Sequence, residues 1–230
     1  LVNFELKRFM KLFVALVVLV SVAQIIAAVI SAWNYNNRAQ KQMTQEKLLI
    51  NDYVEKYGNY SIANFMNENL FQFSVAFAVA VLMIYVFFIW YRDWFGKSSF
   101  IYRLLMLPTA RRDIYFAKLT TILLFVFVLL GVQVLLIEIA ELIIRAILPV
   151  ELYVDLGRQH AYSNDFLAIL FPQSLLAFLL TYGIGTALVA TLFTSILLER
   201  SFHLKGVILA GIYITLSQVV LFTPILIHIN

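Results

Sequence analysis

The stretch LFQFSVAFAVAVLMIYVFFIWY, Leu70 to Tyr91, is apolar or aromatic throughout except for Gln72 and Ser74. A helix rises about 1.5 Å per residue and the hydrocarbon core of a bilayer is about 30 Å thick, so about 20 such residues cross a membrane. Four further stretches meet the same condition: Leu12 to Trp33, Leu119 to about Ile144, Ser174 to Leu198, and Gly206 to Ile227. Each is flanked by polar residues, prolines or both. Composition agrees. Of 230 residues, 63% are hydrophobic and 13% charged, and the mean hydropathy is +0.89, more apolar surface than a soluble domain of this length can bury. The expected fold is all-α: a polytopic transmembrane helical bundle of five visible spans, forming a single domain over residues 1–230. The first span is too long for a cleaved secretory signal and lacks its small-residue cleavage site, so it reads as a retained anchor.

Short basic loops stay in the cytoplasm, which turns the Lys and Arg positions into an orientation. With the N-terminus inside, Lys7, Arg8, Lys11, Arg92, Lys97, Arg103, Arg111, Arg112, Lys118, Arg200 and Lys205 fall on the inner side; Arg38, Lys41, Lys47, Lys56, Arg145 and Arg158 fall on the outer side. Eleven against six, from the total of 17, predicts a cytoplasmic N-terminus. Trp33 and Tyr35 close the first span and Trp90, Tyr91 and Trp94 the second, as amphipathic rings do at the headgroup layer. The net charge of +4 thus records topology, and no nucleic-acid partner is expected. The expected location is a cell membrane, crossed several times.

Chemistry is sparse. The chain has no cysteine, which removes disulfides, thiol nucleophiles and thiolate metal sites, and its three histidines are scattered. No metal site is expected. Gly96-Lys97-Ser98 has the composition of a phosphate-binding loop, but such a loop needs a glycine five positions earlier so that backbone amides converge on the anion. That position is Tyr91. No cofactor is therefore expected in this chain. The outer loop, residues 34–69, contains Leu48, Leu49, Asp52, Tyr53, Glu55, Lys56 and Tyr57, a pattern that fits either an amphipathic helix or a loop with scattered apolar residues. Asn59-Tyr60-Ser61 has the form of a glycosylation sequon, a triplet common by chance.

Glu138, Glu141 and Arg145 lie at i, i+3 and i+7, so they share a helix face and Glu141 can reach Arg145 one turn later. Counting from Lys118, about 20 residues have passed by Glu138, which puts the group at the outer interface as a possible outer gate or polar cluster. A catalytic reading also exists. The Glu141-x-x-x-Arg145 element resembles part of the motif of glutamate-dependent intramembrane proteases, but that family pairs adjacent glutamates with two later histidine motifs; here Ala140 precedes Glu141, and His160 and His228 fall at loop or span ends. Ala23 with Ala27, Gly183 with Ala187, and Ala190 with Thr194 have the spacing of close helix seams. Gly183, Gly185, Pro172 and Pro224 are candidate bends.

The segment GKSSFIYRLLMLPTARRDIYFAKL, Gly96 to Leu119, carries the most information. It resembles the cytoplasmic loop between the second and third spans of ABC-2-type transporter permeases, in which a glycine-containing turn leads to a Leu-Pro-x-x-Arg element, an apolar residue and a lysine opening the third span. Leu107, Pro108, Arg111, Ile114 and Lys118 match in order. The resemblance implies a cytoplasmic coupling loop, residues 92–118, in which Pro108, Thr109, Arg111, Arg112 and Ile114 meet an ATPase. Pro108 disfavours helix at Leu107, Thr109 can cap a new start, and a short helix parallel to the membrane is expected. A second reading of Arg103, Arg111 and Arg112 is contact with anionic headgroups. The resemblance further implies the permease subunit of a bacterial ATP-driven exporter, and the aromatic and aliphatic lining points to an amphipathic or lipid-like substrate (a drug, antimicrobial peptide or lipid). ATP and Mg would sit on a separate nucleotide-binding subunit, a second permease subunit would complete the path, and this chain would not itself be an enzyme. Six spans are expected for the family and five are visible here; a sixth after Asn230 would return the chain to the cytoplasm.

Overall fold

A computed structural model of the chain describes residues 1–94, 106, 110–155 and 165–229. The described residues are helical and contain no strand; the one β-type pairing is an isolated parallel bridge between Tyr60 and Tyr153. Seven α-helices follow in order: α1 (Val2–Glu46), α2 (Ile50–Tyr57), α3 (Ile62–Met66), α4 (Asn69–Trp94), α5 (Arg111–Ile147), α6 (Asp165–Leu170) and α7 (Leu175–Ile229), with a 3-10 turn at Val150–Leu152. Five segments are long and apolar enough to cross a membrane: Val2–Glu46, Asn69–Trp94, Arg112–Ile147, Leu175–Phe202 and Leu204–Leu221. The all-α multi-span architecture expected from the sequence is thus the one observed. Large apolar side chains such as Leu12, Phe73, Phe88 and Leu135 remain exposed along these helices, as lipid-facing surface does.

The helices run further than the apolar runs that predict them. α1 is 45 residues long, about 67 Å at 1.5 Å per residue and about twice the bilayer core. No glycine or proline interrupts it. Beyond Trp33 it is held by packing, since Ala39 is buried against Tyr53 of α2 and Leu152 of the 3-10 turn; tertiary contact here outweighs the weak helix propensity of Asn34, Asn36 and Asn37. Its end is a Schellman motif: Lys47 adopts the left-handed conformation (φ 54°), and the Leu48 N–H donates to the Met43 carbonyl at 3.1 Å. The loop expected at 34–69 is consequently mostly helix. α2 coincides with the amphipathic pattern read there, burying Tyr53 and ending at Gly58, whose φ of 81° suits glycine.

Two compact units make up the chain. One comprises Leu1–Phe9, Val81–Phe125 and Pro172–Asn230; the other comprises Met10–Ala80 and Val126–Phe171. The second unit has a core of Ala27, Ala28 and Ala32 from α1, Phe65 and Met66 from α3, Phe71 and Val75 from α4, and Ile137, Ala140 and Ile144 from α5. Small residues on α1 let the neighbouring helices approach, which is how packing is gained where lipid removes the hydrophobic drive. Deep in this core the Gln24 amide donates to Ser74 Oγ at 2.9 Å, and Gln24 and Gln133 exchange two bonds at 2.9 and 3.0 Å.

In the first unit Phe9 stacks on Tyr85 with ring centroids 3.6 Å apart, and Phe125 meets Phe9 edge-on at 5.2 Å. Phe193 of α7 is fully buried between Trp90 and Tyr115, and the Tyr115 hydroxyl donates to the Ala190 carbonyl at 2.9 Å. α7 is helical over 55 residues, yet it is not straight. Eight residues of straight helix rise about 12 Å, whereas a Cβ on Gly206 would overlap the Leu198 carbonyl oxygen and lie 2.9 Å from the Glu199 Cα. The chain therefore folds back between Leu198 and Gly206, where the sequence separates two spans, and only glycine fits the approach. Gly183 and Gly185 have no neighbour within 4 Å of an added Cβ, so the small-residue seam expected at Gly183 and Ala187 is not packed within the described residues.

Candidate functional site

Charged residues from three helices meet in the first unit. Glu5 lies in the first turn of α1, Arg92 and Asp93 in the last turn of α4, and Lys118 two turns into α5. Lys118 and Asp93 are completely buried and Glu5 nearly so. The Lys118 ammonium has three protons to donate, and all find acceptors: Asp93 Oδ2 at 2.6 Å, the Ile89 carbonyl at 2.8 Å and Glu5 Oε1 at 2.9 Å. The remaining carboxylate oxygens are engaged from the rim. Arg8 Nη1 donates to Asp93 Oδ1 at 2.7 Å, and Arg92 Nη2 to Glu5 Oε2 at 3.0 Å. Trp90 closes one side, its ring 5.1 Å from the Lys118 ammonium.

Three cations against two carboxylates leave one net positive charge in a network whose centre is dry. Desolvating such charges costs several kcal/mol per ion, recovered only when geometry and hydrogen bonds are complete. The Lys118 ammonium and all four carboxylate oxygens are bonded here, although Arg92 Nε and Trp90 Nε1 are buried without a hydrogen-bond partner among the described residues, so the cluster holds its charges in place. Its capacity is mechanical. It fastens the start of α1 to the end of α4 and the start of α5, the two helices that bracket the 95–110 connection.

The residues singled out in that connection fare differently. Pro108 and Thr109, with Gly96-Lys97-Ser98 and Leu107, lie outside the described residues. Arg111 begins α5, and its side chain is likewise outside them. Arg112 is exposed, 3.9 Å from Asp113, whereas Ile114 is buried. Among the described residues no separate short helix is seen here: α5 runs unbroken from Arg111 to Ile147, because neither glycine nor proline lies between Asp113 and Leu119 and Ile114, Ala117 and Lys118 are anchored in the unit. Within the 92–118 coupling loop read from the sequence, Arg92, Asp93 and Trp94 end α4 and 111–118 belong to α5.

Glu141 and Arg145 pair as their spacing requires, at 2.5 Å. Arg145 also reaches Asp155 Oδ2 at 2.6 Å, and the Tyr153 hydroxyl donates to Glu141 Oε1 at 3.0 Å. Burial, helped by the bond to Glu141 and opposed by Arg145, holds the Tyr153 hydroxyl above the ordinary tyrosine range. Glu138 is half-buried on the same helix. The cluster pins residues 153–155 to the end of α5, and Glu141 is committed to two donors. Among the described residues no group of histidine and carboxylate side chains is arranged to hold a metal.

Sequence reasoning missed the Lys118 network because it counted Lys118, Arg8 and Arg92 as topology markers. The available signal was acidic: Glu5 and Asp93 sit at span edges on a side otherwise rich in Lys and Arg. It also passed over the lone amides Gln24 and Gln133 inside apolar runs, the usual sign of an interhelical bond. Comparison of the chain with protein-family models, curated proteins and solved structures returned no match.

Proposed function

We propose that this chain is the membrane subunit of an ATP-driven exporter of the ABC-2 type, working in a bacterial plasma membrane. In this reading it binds a separate nucleotide-binding subunit through the 92–118 region and pairs with a second permease subunit, identical or related, to form the path of an amphipathic or lipid-like substrate. The observation that supports it most is Lys118. The residue that ends the permease-like motif, after Leu107, Pro108, Arg111 and Ile114, is the centre of the buried network that holds α1, α4 and α5 together. A force applied to the connecting loop would be delivered to three helices at once, as coupling to an ATPase requires. The paired state of Glu141 favours a brace over the proteolytic alternative.

The test is reconstitution of the chain with the ATPase recovered by copurification. Arg111→Glu with Arg112→Glu is expected to abolish substrate-stimulated ATP hydrolysis and transport, since like-charge contacts across an interface cost several kcal/mol. A cysteine at Thr109 is expected to crosslink to the ATPase. Normal coupling together with no crosslink would falsify the assignment. Orientation is checked separately: with no native cysteine, Asn51→Cys should react with an impermeant thiol reagent in intact cells and Ser98→Cys should not.

A further inference from the structure

In the second unit, where α1 and α4 leave their apolar runs, the structure holds a polar cavity of about 370 Å³, near the lower end of the ~300–1,000 Å³ usual for small-molecule sites. Its wall is built from Ser31, Tyr35 and Arg38 of α1, which share one face at i, i+4 and i+7, with Tyr60, Glu68 and Leu70. The wall is fixed. The Tyr60 N–H donates to the Leu152 carbonyl at 2.8 Å, and the Val154 N–H donates to the Tyr60 carbonyl at 2.9 Å. The Tyr35 hydroxyl donates to the Gly58 carbonyl at 2.9 Å, and the Tyr35 and Tyr60 rings lie 4.8 Å apart.

The electrostatics of the cavity are divided. The Ser31 hydroxyl and the Tyr60 hydroxyl, the latter at 3.4 Å, both bond to Glu68 Oε1, and these two hydroxyls also bond to each other. Glu68 Oε2 is left without a hydrogen bond among the described residues. Burial keeps the Tyr60 hydroxyl well above the ordinary tyrosine range, so it is a neutral hydrogen-bonding group beside the Glu68 carboxylate. Arg38 lines the same cavity and makes no ion pair among the described residues. Asn34 and Asn69 add amide oxygens and N–H groups. A carboxylate with a spare oxygen beside two tyrosine rings suits an ammonium, by ion pairing and by cation–π attraction. A guanidinium suits a phosphate. The depth suits a lipid: Trp33, exposed on α1, marks the headgroup layer, and Leu70 at the cavity edge begins the apolar run of α4.

From this arrangement we infer that the cavity is a binding site for a zwitterionic amine–phosphate lipid headgroup of the phosphoethanolamine class. Glu68 and the Tyr35–Tyr60 pair would take the ammonium, Arg38 the phosphate, and Leu70 the glycerol end of the acyl chains. The site rests on this chain alone, and under the exporter reading it would supply the lipid-like substrate class or a lipid that regulates it. Its test needs no ATPase, so its failure and the failure of the exporter reading are separable.

The experiment is native mass spectrometry of the full chain in detergent, titrated with dihexanoyl phosphatidylethanolamine, phosphatidylcholine and phosphatidylglycerol, and with water-soluble glycerophosphoethanolamine. Phosphatidylethanolamine is expected to bind at least about tenfold more tightly than the other three, a difference of about 1.4 kcal/mol. Glu68→Gln, which preserves the acceptor for Ser31 and Tyr60, is expected to remove the preference for the amine over phosphatidylglycerol. Arg38→Met, at an exposed position that leaves the fold intact, is expected to weaken phosphatidylethanolamine by about tenfold. Equal binding of the three lipids, or unchanged selectivity in both variants, would overturn the headgroup site. Equal affinity for glycerophosphoethanolamine would overturn its assignment to a lipid.

Discussion

The two units cross-brace α1, α4 and α5 by opposite means. In one, Glu5, Asp93 and Lys118 form a buried ionic junction completed by Arg8 and Arg92; in the other, Gln24, Ser74 and Gln133 form a neutral chain of hydroxyl and amide bonds. Position along the spans explains the difference. Gln24 falls in the middle of its apolar run and Gln133 well inside another, where a single charge costs about 2.5 to 3.5 kcal/mol even on a lenient insertion scale. An amide can satisfy a partner there without carrying that cost. Glu5, Asp93 and Lys118 fall where runs end, so the charges enter from water and are sealed only as the helices close around them. A neutral brace can form with lipid all round, while an ionic one forms only where its arginines still touch solvent.

The contrast is broken most severely by Lys118→Met. It strands Glu5 and Asp93 in a dry site, and the expected loss is about 3–5 kcal/mol, read as a lowered midpoint of unfolding in mixed micelles; a further Asp93→Asn change should recover part of it. Arg8→Met removes one rim bond to a buried carboxylate that keeps its lysine, for an expected loss of about 2 kcal/mol. Gln24→Leu cuts the neutral brace and should cost about 1 kcal/mol. In a double-mutant cycle, Gln24→Leu and Gln133→Leu together should cost clearly less than their sum, because each change removes the same pair of bonds; simple additivity would mean that the amides do not act on each other. Lys56→Ala marks the lower end. Lys56 pairs with Glu46 at 2.7 Å on the open surface, and no measurable change in stability is expected.

The spans were legible because apolar runs of sufficient length have few other uses, and the Glu141–Arg145 pair was legible because both partners share one helix. The helix ends were not. Nothing local announces that Asn34–Asn37 stay helical, since the cause is Ala39 meeting Tyr53 and Leu152, which are distant in sequence. The ionic junction was hidden for the same reason: Lys118 is 113 residues from Glu5 and 25 from Asp93, and each charge alone resembles an ordinary flanking residue. Similarly, Tyr60 was visible only as the middle of a sequon. Its bridge to Tyr153 and its place beside Glu68 come from tertiary pairing across loops.

The fold-back at Gly206 has a consequence for how the protein is made. With the backbone of Leu198 and Glu199 against the glycine, the two arms of α7 are joined by a connection too short to let one settle while the other waits. A nascent chain leaving the ribosome would have to deliver both arms to the bilayer as one cargo, with Glu199, Arg200 and Lys205 at the bend kept on the side from which they entered. Residue 206 thus makes the two arms a single helical hairpin, and a substitution there would oppose its closure during insertion as well as in the finished protein.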